Sequence, residues 1–285
     1  MNIKTKETTF LFLTESFLFS LTLFLGIFCA VRTQKIFNVQ KIESSSVSFS
    51  QFIFYFFLAT LFVFSVFYFV RRKPVKVKIY RFLFIFASFF GSLIFFESFL
   101  PEPIPLILVF LLIFWWIKNP IVLNQNLLII FSLAGIGASL GLSLKPEAVI
   151  LILIILSIYD FIAVYKTKHM VKMAKDMIES GTILGLVFPF EPSGFLKSTR
   201  EIKPGEGKFL ILGGGDVAFP LIFSVSLLKF GIFKSFFVAF FSLFGLFSNF
   251  LLFLLQKKRE GIPALPLISL FSILGYLLLR VYWVK

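Results

Sequence analysis

The chain has 285 residues, of which 59% are hydrophobic and only 15% are charged, and it contains 45 phenylalanines. A soluble domain needs polar residues to cover its outer surface, so this composition excludes a soluble protein and indicates an integral membrane protein. The net charge of +14 does not indicate a nucleic-acid partner, because nucleic-acid-binding domains lack long apolar runs. In so apolar a chain, basic residues are expected in loops that remain on the cytoplasmic side.

Nine apolar runs are long enough, or nearly long enough, to cross a bilayer as helices. Such a crossing takes about 20 residues, and shorter runs suffice where protein surrounds the helix. The predicted spans are residues 10–31, 52–70, 82–100, 104–117, 127–144, 147–165, 209–228, 232–255 and 265–282. The sequence therefore predicts an all-α membrane protein built as a bundle of nine transmembrane helices.

A polar segment rich in proline and glycine, residues 166–208, divides the chain into three parts. Residues 1–165 form a half with six spans, residues 166–208 form a connection, and residues 209–285 form a half with three spans. Within the connection, Met170, Met173 and Met177 recur at helical spacing, which predicts an amphipathic helix that extends the sixth span. We favour a position at the lipid headgroups for this helix over a role in substrate docking.

The basic residues predict an orientation in the membrane. The side that holds the N-terminus and the long connection collects about 20 of the 28 Lys and Arg residues, and cytoplasmic loops carry this excess. We therefore expect a cytoplasmic N-terminus, a cytoplasmic connection and an external C-terminus.

Two carboxylates, Asp160 and Asp216, stand inside predicted spans, where an ionisable side chain indicates a functional site. Asp160 lies about five residues before the end of the sixth span, and Asp216 lies about seven residues into the seventh. An α-helix rises by about 1.5 Å per residue. Because these spans are sequential and antiparallel, both acids are expected about 8 to 11 Å below the cytoplasmic boundary. Gly213, Gly214 and Gly215 precede Asp216, and we expect them to let the sixth span approach closely.

Paired carboxylates can carry out hydrolysis without a metal, a cofactor or a nucleophilic side chain. Two acids in a partly dry site resist losing both protons, so the pair shares one. The charged member can activate water while the protonated member donates to the reacting group. The chain contains one histidine and one cysteine, and its sequence shows neither a serine triad nor a zinc cluster.

A third element, "GIPALPLI", opens the predicted ninth span. Pro263 and Pro266 lack amide donors and force extended geometry on the residues before them, so backbone groups at this entrance stay free. We expect Pro263, Ala264, Leu265 and Pro266 to form a strip beside the acids that holds an unwound substrate as an added strand.

These motifs resemble the YD, GxGD and PAL signatures of the presenilin and signal peptide peptidase family of intramembrane aspartyl proteases. Tyr159 and Asp160 match the first signature, residues 213–216 the second and residues 263–265 the third. The stretches "GGGDVAFP" and "PALP" most resemble the corresponding stretches of the archaeal presenilin-like proteases. The resemblance is specific over about the last 140 residues, and the order and number of the spans agree with it.

The resemblance implies a presenilin-like fold and cleavage of peptide bonds within or near transmembrane segments of other membrane proteins. Asp160 and Asp216 would be the catalytic pair, Tyr159 would shape the site, and residues 263–265 would support it and engage substrate. The partners would be the lipid bilayer and substrate spans, in the plasma membrane of an archaeon. The orientation with the N-terminus inside is like that of presenilin and opposite to that of signal peptide peptidase.

Two alternatives remain open at the level of the sequence. A prepilin-peptidase-like protease also uses a GxGD motif, but it has fewer spans and no PAL element. A transporter or channel could use Asp160 and Asp216 to carry protons or cations, although the sequence lacks the internal repeats common in transporters. Nothing in the sequence supports a non-catalytic binding protein of the same fold, because both acids are present.

Overall fold

A computed structural model describes residues 3–40, 51, 54–55, 58, 61, 73–167, 169–202, 208–256 and 261–283. The predicted second span, residues 52–70, lies almost entirely outside the described residues. The α-helices are α1 (Ile3–Gln40), α2 (Lys73–Glu97), α3 (Ile104–Lys118), α4 (Val122–Ser143), α5 (Pro146–Phe161), α6 (His169–Glu179), α7 (Gly214–Ser226), α8 (Ile232–Leu255) and α9 (Leu265–Trp283). The strands are β1 (Gly185–Pro189) and β2 (Phe209–Gly213). The described residues also include a π-helical turn (Ile162–Lys166) and three 3-10 turns (Pro192–Leu196, Thr199–Glu201 and Leu228–Phe230).

Most of the predicted spans coincide with a helix of the structure. Among the described residues, five segments are long and apolar enough to cross a bilayer, namely Lys6–Ile36, Val77–Glu97, Val122–Ser143, Pro146–Lys166 and Ile232–Leu255. Two shorter apolar helices, Ile104–Lys118 and Leu265–Val281, correspond to the predicted fourth and ninth spans. Phe82, Phe86 and Phe90 stand exposed at four-residue spacing on α2, as expected of a helix face in contact with lipid. The protein is a multi-pass helical membrane protein.

The predicted seventh span, residues 209–228, is wrong in its first part. Residues 209–213 form β2, and only from Gly214 does the chain become helical. A short apolar run can be either a buried strand or part of a helix, and periodicity alone does not separate the two. The three glycines weaken a helix at this point, so the strand ends and the helix begins among them.

Glycines allow close contact at two helix crossings of the bundle. A Cβ atom on Gly135 of α4 would stand 2.0 Å from the carbonyl oxygen of Gly91 in α2. A Cβ atom on Gly245 of α8 would stand 2.5 Å from the Cα atom of Ile268 in α9. Backbones approach this closely only where side chains are absent, which is a common way for helices to associate in membranes.

The connection, predicted as a polar segment rich in proline and glycine, contains β1, which pairs antiparallel with β2 from Gly185 opposite Gly213 to Pro189 opposite Phe209. The outer edge of β1 is held by α4. The Asn126 amide donates to the carbonyl oxygen of Val187 (2.7 Å) and accepts from its N–H (2.8 Å). Because both backbone groups of Val187 are satisfied in this way, the sheet is fixed to the centre of the helical bundle.

The predicted amphipathic helix of the connection is present as α6. It is not a direct extension of the sixth span, because a bend at Thr167 follows the π-helical turn and separates the two. Residue 168 and the side chain of His169 lie outside the described residues.

Candidate active site

Asp160 lies at the end of α5, immediately before the chain changes from α-helical to π-helical geometry. Its side chain is buried, with 5% of its surface exposed. One carboxyl oxygen, Oδ2, is completely buried and has no hydrogen-bond partner in the part of the chain that the structure describes. A π-helical turn widens the helix by one residue and is frequent at functional sites, so the backbone places Asp160 beside an irregular segment.

Asp216 is the third residue of α7 and interacts with the residue that caps this helix. Gly213 is the N-cap, and its backbone N–H lies close enough to interact with the Asp216 carboxyl group. An acidic side chain at this position commonly turns back to the cap in this way. A Cβ atom on Gly213 would stand 3.0 Å from Oδ2 of Asp216, so the absence of a side chain leaves room for the carboxyl group.

The beginning of α9 connects the two acids. The backbone amide of Leu265 lies close enough to interact with the carboxyl groups of both Asp160 and Asp216, and Asp160 also acts electrostatically on Asp216. The first amides of a helix lack partners within the helix and attract negative charge. The structure thus brings together one residue from α5, one from α7 and one from α9.

The three glycines have different neighbours from those expected from the sequence. The N–H of Gly214 donates to the carbonyl oxygen of Leu184 (3.0 Å), and Gly213 pairs with Gly185 in the sheet. A Cβ atom on Gly215 would meet only Phe219 of the same helix, at 3.6 Å. The nearest atoms to these glycines therefore belong to the connection and to α7 itself, and the expected close approach of the sixth span at these positions is wrong. At Gly213 and Gly214 the neighbouring space is taken by Gly185 of β1 and by Leu184, the residue before it.

The remaining predicted residues lie around this centre. Residues 261–264 have no regular structure and α9 begins at Leu265, as the prolines predict. Pro263, Ala264 and Leu265 are buried, whereas Pro266 is partly buried. Tyr159 neighbours Asp160 in sequence, but 44% of its side chain is exposed, so it lies toward the outer surface of α5.

A cavity of about 150 Å³ opens beside Asp216. Its walls come from α1, β2, α7, α8 and the segment before α9, and it is lined by Glu15, Leu210, Ile211, Leu212, Asp216, Asn249, Phe250, Phe253, Gly261, Ile262 and Ala264. Sequence reasoning missed Glu15, although an acid in the apolar run "FLTESFLF" gives the same signal as Asp160 and Asp216. Among the described residues, no three His, Cys, Asp or Glu side chains converge as metal ligands.

Residues 23–283 match the family model described as signal-peptide peptidase, presenilin aspartyl protease. The chain belongs to this family. Its fold is similar to two crystal forms of a presenilin family intramembrane aspartate protease, each with 22% sequence identity. For the C222 form, the TM-score is 0.59 with 93% of this chain and 95% of that chain covered. For the P2 form, the TM-score is 0.53 with 92% and 96% covered. A search of curated proteins found no match.

Membership of the family favours the protease prediction over the transporter prediction. The chain is an aspartyl protease of the intramembrane class, a hydrolase whose substrates are membrane proteins in a bilayer.

Proposed function

We propose that this protein cleaves peptide bonds within or near the transmembrane segments of its substrates, with Asp160 and Asp216 as the catalytic pair. The observation that carries the proposal is the Leu265 amide, which interacts with both carboxyl groups at the start of α9. Two acids on different helices, brought to one backbone donor, form the arrangement that general acid and general base catalysis requires.

In the proposed mechanism, one aspartate is charged and the other is protonated. The charged carboxylate removes a proton from a water molecule, and that water attacks the carbonyl carbon of the substrate peptide bond. The protonated acid donates its proton to the carbonyl oxygen as the tetrahedral intermediate forms. The aspartate that took the proton from water then donates it to the departing amine, and the other aspartate takes a proton back from a hydroxyl group of the intermediate, which restores the starting pair. The Leu265 amide would stabilise whichever carboxyl group is charged at each step, and the Gly213 amide would stabilise Asp216 when it is charged.

The edge of β2 that faces away from β1 is the proposed place where the substrate is held in extended form. Val187 of β1 directs its N–H and C=O away from β2, toward Asn126. In an antiparallel pair, the residue opposite, Ile211, directs its own backbone groups to the other edge of the sheet. That edge borders the cavity, and β2 leads directly to Asp216, so a strand added there would present its peptide bond to the acids.

The segment before α9 would form the opposite wall for the substrate. Ala264 lines the cavity, and Pro263 and Pro266 have no N–H groups, which is compatible with the irregular segment 261–264 and the first turn of α9 in which they lie. We assign Pro263, Ala264, Leu265 and Pro266 to substrate binding and support of the dyad. Gly213, Gly214 and Gly215 give room for β1 and for the Asp216 carboxyl group, and Tyr159 shapes the α5 side of the site.

We further propose that the N-terminus and the connection, residues 166–208, are cytoplasmic and that the C-terminus is external. The Lys and Arg distribution supports this orientation. The likeness of "GGGDVAFP" and "PALP" to archaeal sequences supports a location in the plasma membrane of an archaeon.

The test is cleavage of a labelled single-span peptide by purified protein in lipid, with products identified by mass spectrometry. Asp160→Asn and Asp216→Asn are each expected to abolish cleavage while the protein remains folded and inserted. Wild-type turnover by either variant would contradict the dyad. Absence of cleavage across a broad peptide panel, together with aspartate-dependent ion flux in liposomes, would favour transport.

A further inference from the structure

Glu15 is a buried acid that the proposed mechanism does not use. It lies on α1, with 2% of its side chain exposed, and its Oε2 atom has no hydrogen-bond partner among the described residues. It lines the same cavity as Asp216. A buried carboxylate without a partner is unfavourable in the absence of a compensating group, so its position indicates that something else binds there.

Asn249 of α8 contributes a second unpaired acceptor to the cavity. Its side chain is 9% exposed, and its Oδ1 atom also has no partner in the described part of the chain. The ring of Phe12 packs against that of Phe250 at 5.0 Å and fixes α1 against α8. Phe12 lies one helical turn before Glu15, and Phe250 follows Asn249, so this contact holds the two acceptors in the cavity wall.

The Glu15 and Asn249 acceptors would bind a group that donates hydrogen bonds. Because one of them belongs to a carboxyl group, a positively charged donor fits best. The cavity, at about 150 Å³, is far larger than the roughly 15 Å³ that one water molecule needs. It opens on Asp216 and on the edge of β2, where we place the substrate strand. A side chain of that strand is therefore the group best placed to enter it.

We propose that Glu15 and Asn249 form a subsite that binds a basic side chain, Lys or Arg, of the substrate close to the cleaved bond. This inference rests on the proposed function and on the proposed orientation. Transmembrane segments carry Lys and Arg at their cytoplasmic flank, and the β2 side of the cavity is the cytoplasmic side in that orientation. The subsite would thus select substrates by the basic residues that end their spans.

The experiment compares matched single-span substrates, reconstituted with the full-length protein in lipid vesicles. One basic residue on the cytoplasmic flank is moved along the sequence, and at each position Lys is compared with Met and with Gln. Wild-type protein is expected to favour Lys over Met by about tenfold in kcat/KM at one position, as a charge-assisted hydrogen bond would provide. Glu15→Gln, which keeps the shape of the side chain, is expected to remove most of this preference.

A double variant separates recognition from a general loss of structure. Asn249→Asp combined with Glu15→Gln moves the carboxylate to the other wall of the cavity and is expected to restore the preference for Lys. Glu147→Gln is the matched control, because Glu147 is exposed in the first turn of α5, outside the cavity. The ratio of kcat/KM for Lys and Met substrates is the readout, since a merely structural defect would lower both.

An unchanged ratio in Glu15→Gln would overturn the subsite. A wild-type protein without any preference for Lys would also overturn it. These outcomes all require Asp160- and Asp216-dependent cleavage, so absence of cleavage from every substrate would be a failure of the proposed function instead. A preference for Gln equal to that for Lys would show binding of neutral donors and overturn the assignment to basic residues.

Discussion

Gly213 controls the position of a proposed catalytic group without contacting the substrate itself. Its φ and ψ angles of −59° and 143° are open to any residue, so the need for glycine here is spatial and not conformational. The Cβ atom of an alanine would stand 3.0 Å from Oδ2 of Asp216, which is closer than an ordinary contact. The carboxyl group would therefore have to move away from the N–H that binds it.

We expect Gly213→Ala to lower kcat by about tenfold or more, since small displacements of a catalytic group have effects of that size. Initial rates of peptide cleavage in lipid measure this change, and the thermal unfolding of the variant should stay close to that of the wild type. Gly215→Ala is the matched comparison and should lose much less activity, because its Cβ atom meets only Phe219 at 3.6 Å. Equal losses in both variants would contradict the explanation.

For single residues, the sequence predicts Asp160 and Asp216 as the candidate catalytic pair because ionisable residues are rare in apolar spans. Glu15 carries the same signal, yet it lies far away in sequence, and only the fold shows that it shares a cavity with Asp216. The Leu265 amide could not be predicted from the sequence, because every residue except proline has a backbone N–H and only the fold determines which of them lies near the acids.

Among the elements, β1 connects the helical bundle to the candidate site. The Asn126 side chain of α4 satisfies both backbone groups of Val187, and β1 in turn pairs with β2, which leads to Asp216. The buried amide of Gln125 also donates to the carbonyl oxygen of Ile183, just before β1. The strand pair is therefore held by α4 and not only by its own ladder.

Asn126→Leu keeps much of the side-chain volume but leaves the N–H and C=O of Val187 without partners. We expect a loss of about 1 to 3 kcal/mol in the free energy of unfolding, the usual effect of leaving a buried polar group unpaired. Thermal unfolding in lipid or detergent measures the loss, and the cleavage rate should fall with it because β2 becomes less well held. Ser143→Ala serves as the control, since it removes only an exposed hydrogen bond within α4. A variant as stable and active as the wild type would exclude this role for Asn126.

The helices were predictable from the sequence because a span of apolar residues has one common structure in a bilayer. The strands were not. Residues 209–213 are as apolar as the helix that follows, and β1 lies in a connection whose prolines and glycines indicate a loop. Their pairing depends on contacts with α4, which lies about 60 residues earlier in the chain.

For the molecule as a whole, the distribution of Lys and Arg predicts which surface faces the cytoplasm. Ser193 lies in the connection, and Lys145 lies between α4 and α5, and both are exposed. Residues 197 and 199 bind the backbone of Val122 and Pro120, so the connection and the turn before α4 share one face of the protein. The turn that holds Lys145 follows the other end of α4.

We expect a membrane-impermeant thiol reagent to label Lys145→Cys in intact cells and Ser193→Cys only after the membrane is permeabilised. The native Cys29 is buried and should react with neither treatment, and the unmodified protein provides that control. The reverse labelling pattern would show that the N-terminus is external and would change which flank of a substrate meets the cavity.

The order and approximate ends of most helices follow from hydropathy, but their arrangement around the acids does not. Whether α5, α7 and α9 meet depends on close crossings such as that of Gly245 with Ile268, which a single sequence cannot pair. The resemblance to the family predicted that the three helices meet at the acids. Hydropathy and residue spacing alone predicted only the order of the helices along the chain and the depth of each acid in the membrane.

The amide of Leu265 also makes this residue a natural spectroscopic probe. Since it interacts with both acids, its proton and nitrogen resonances should respond whenever either carboxyl group gains or loses a proton or binds an inhibitor. Protein labelled with ¹⁵N at leucine, with the signal assigned by conservative substitution, would report the state of the pair without any change to the acids themselves. The backbone group that joins the two halves of the site would thus let the dyad be observed during titration and turnover.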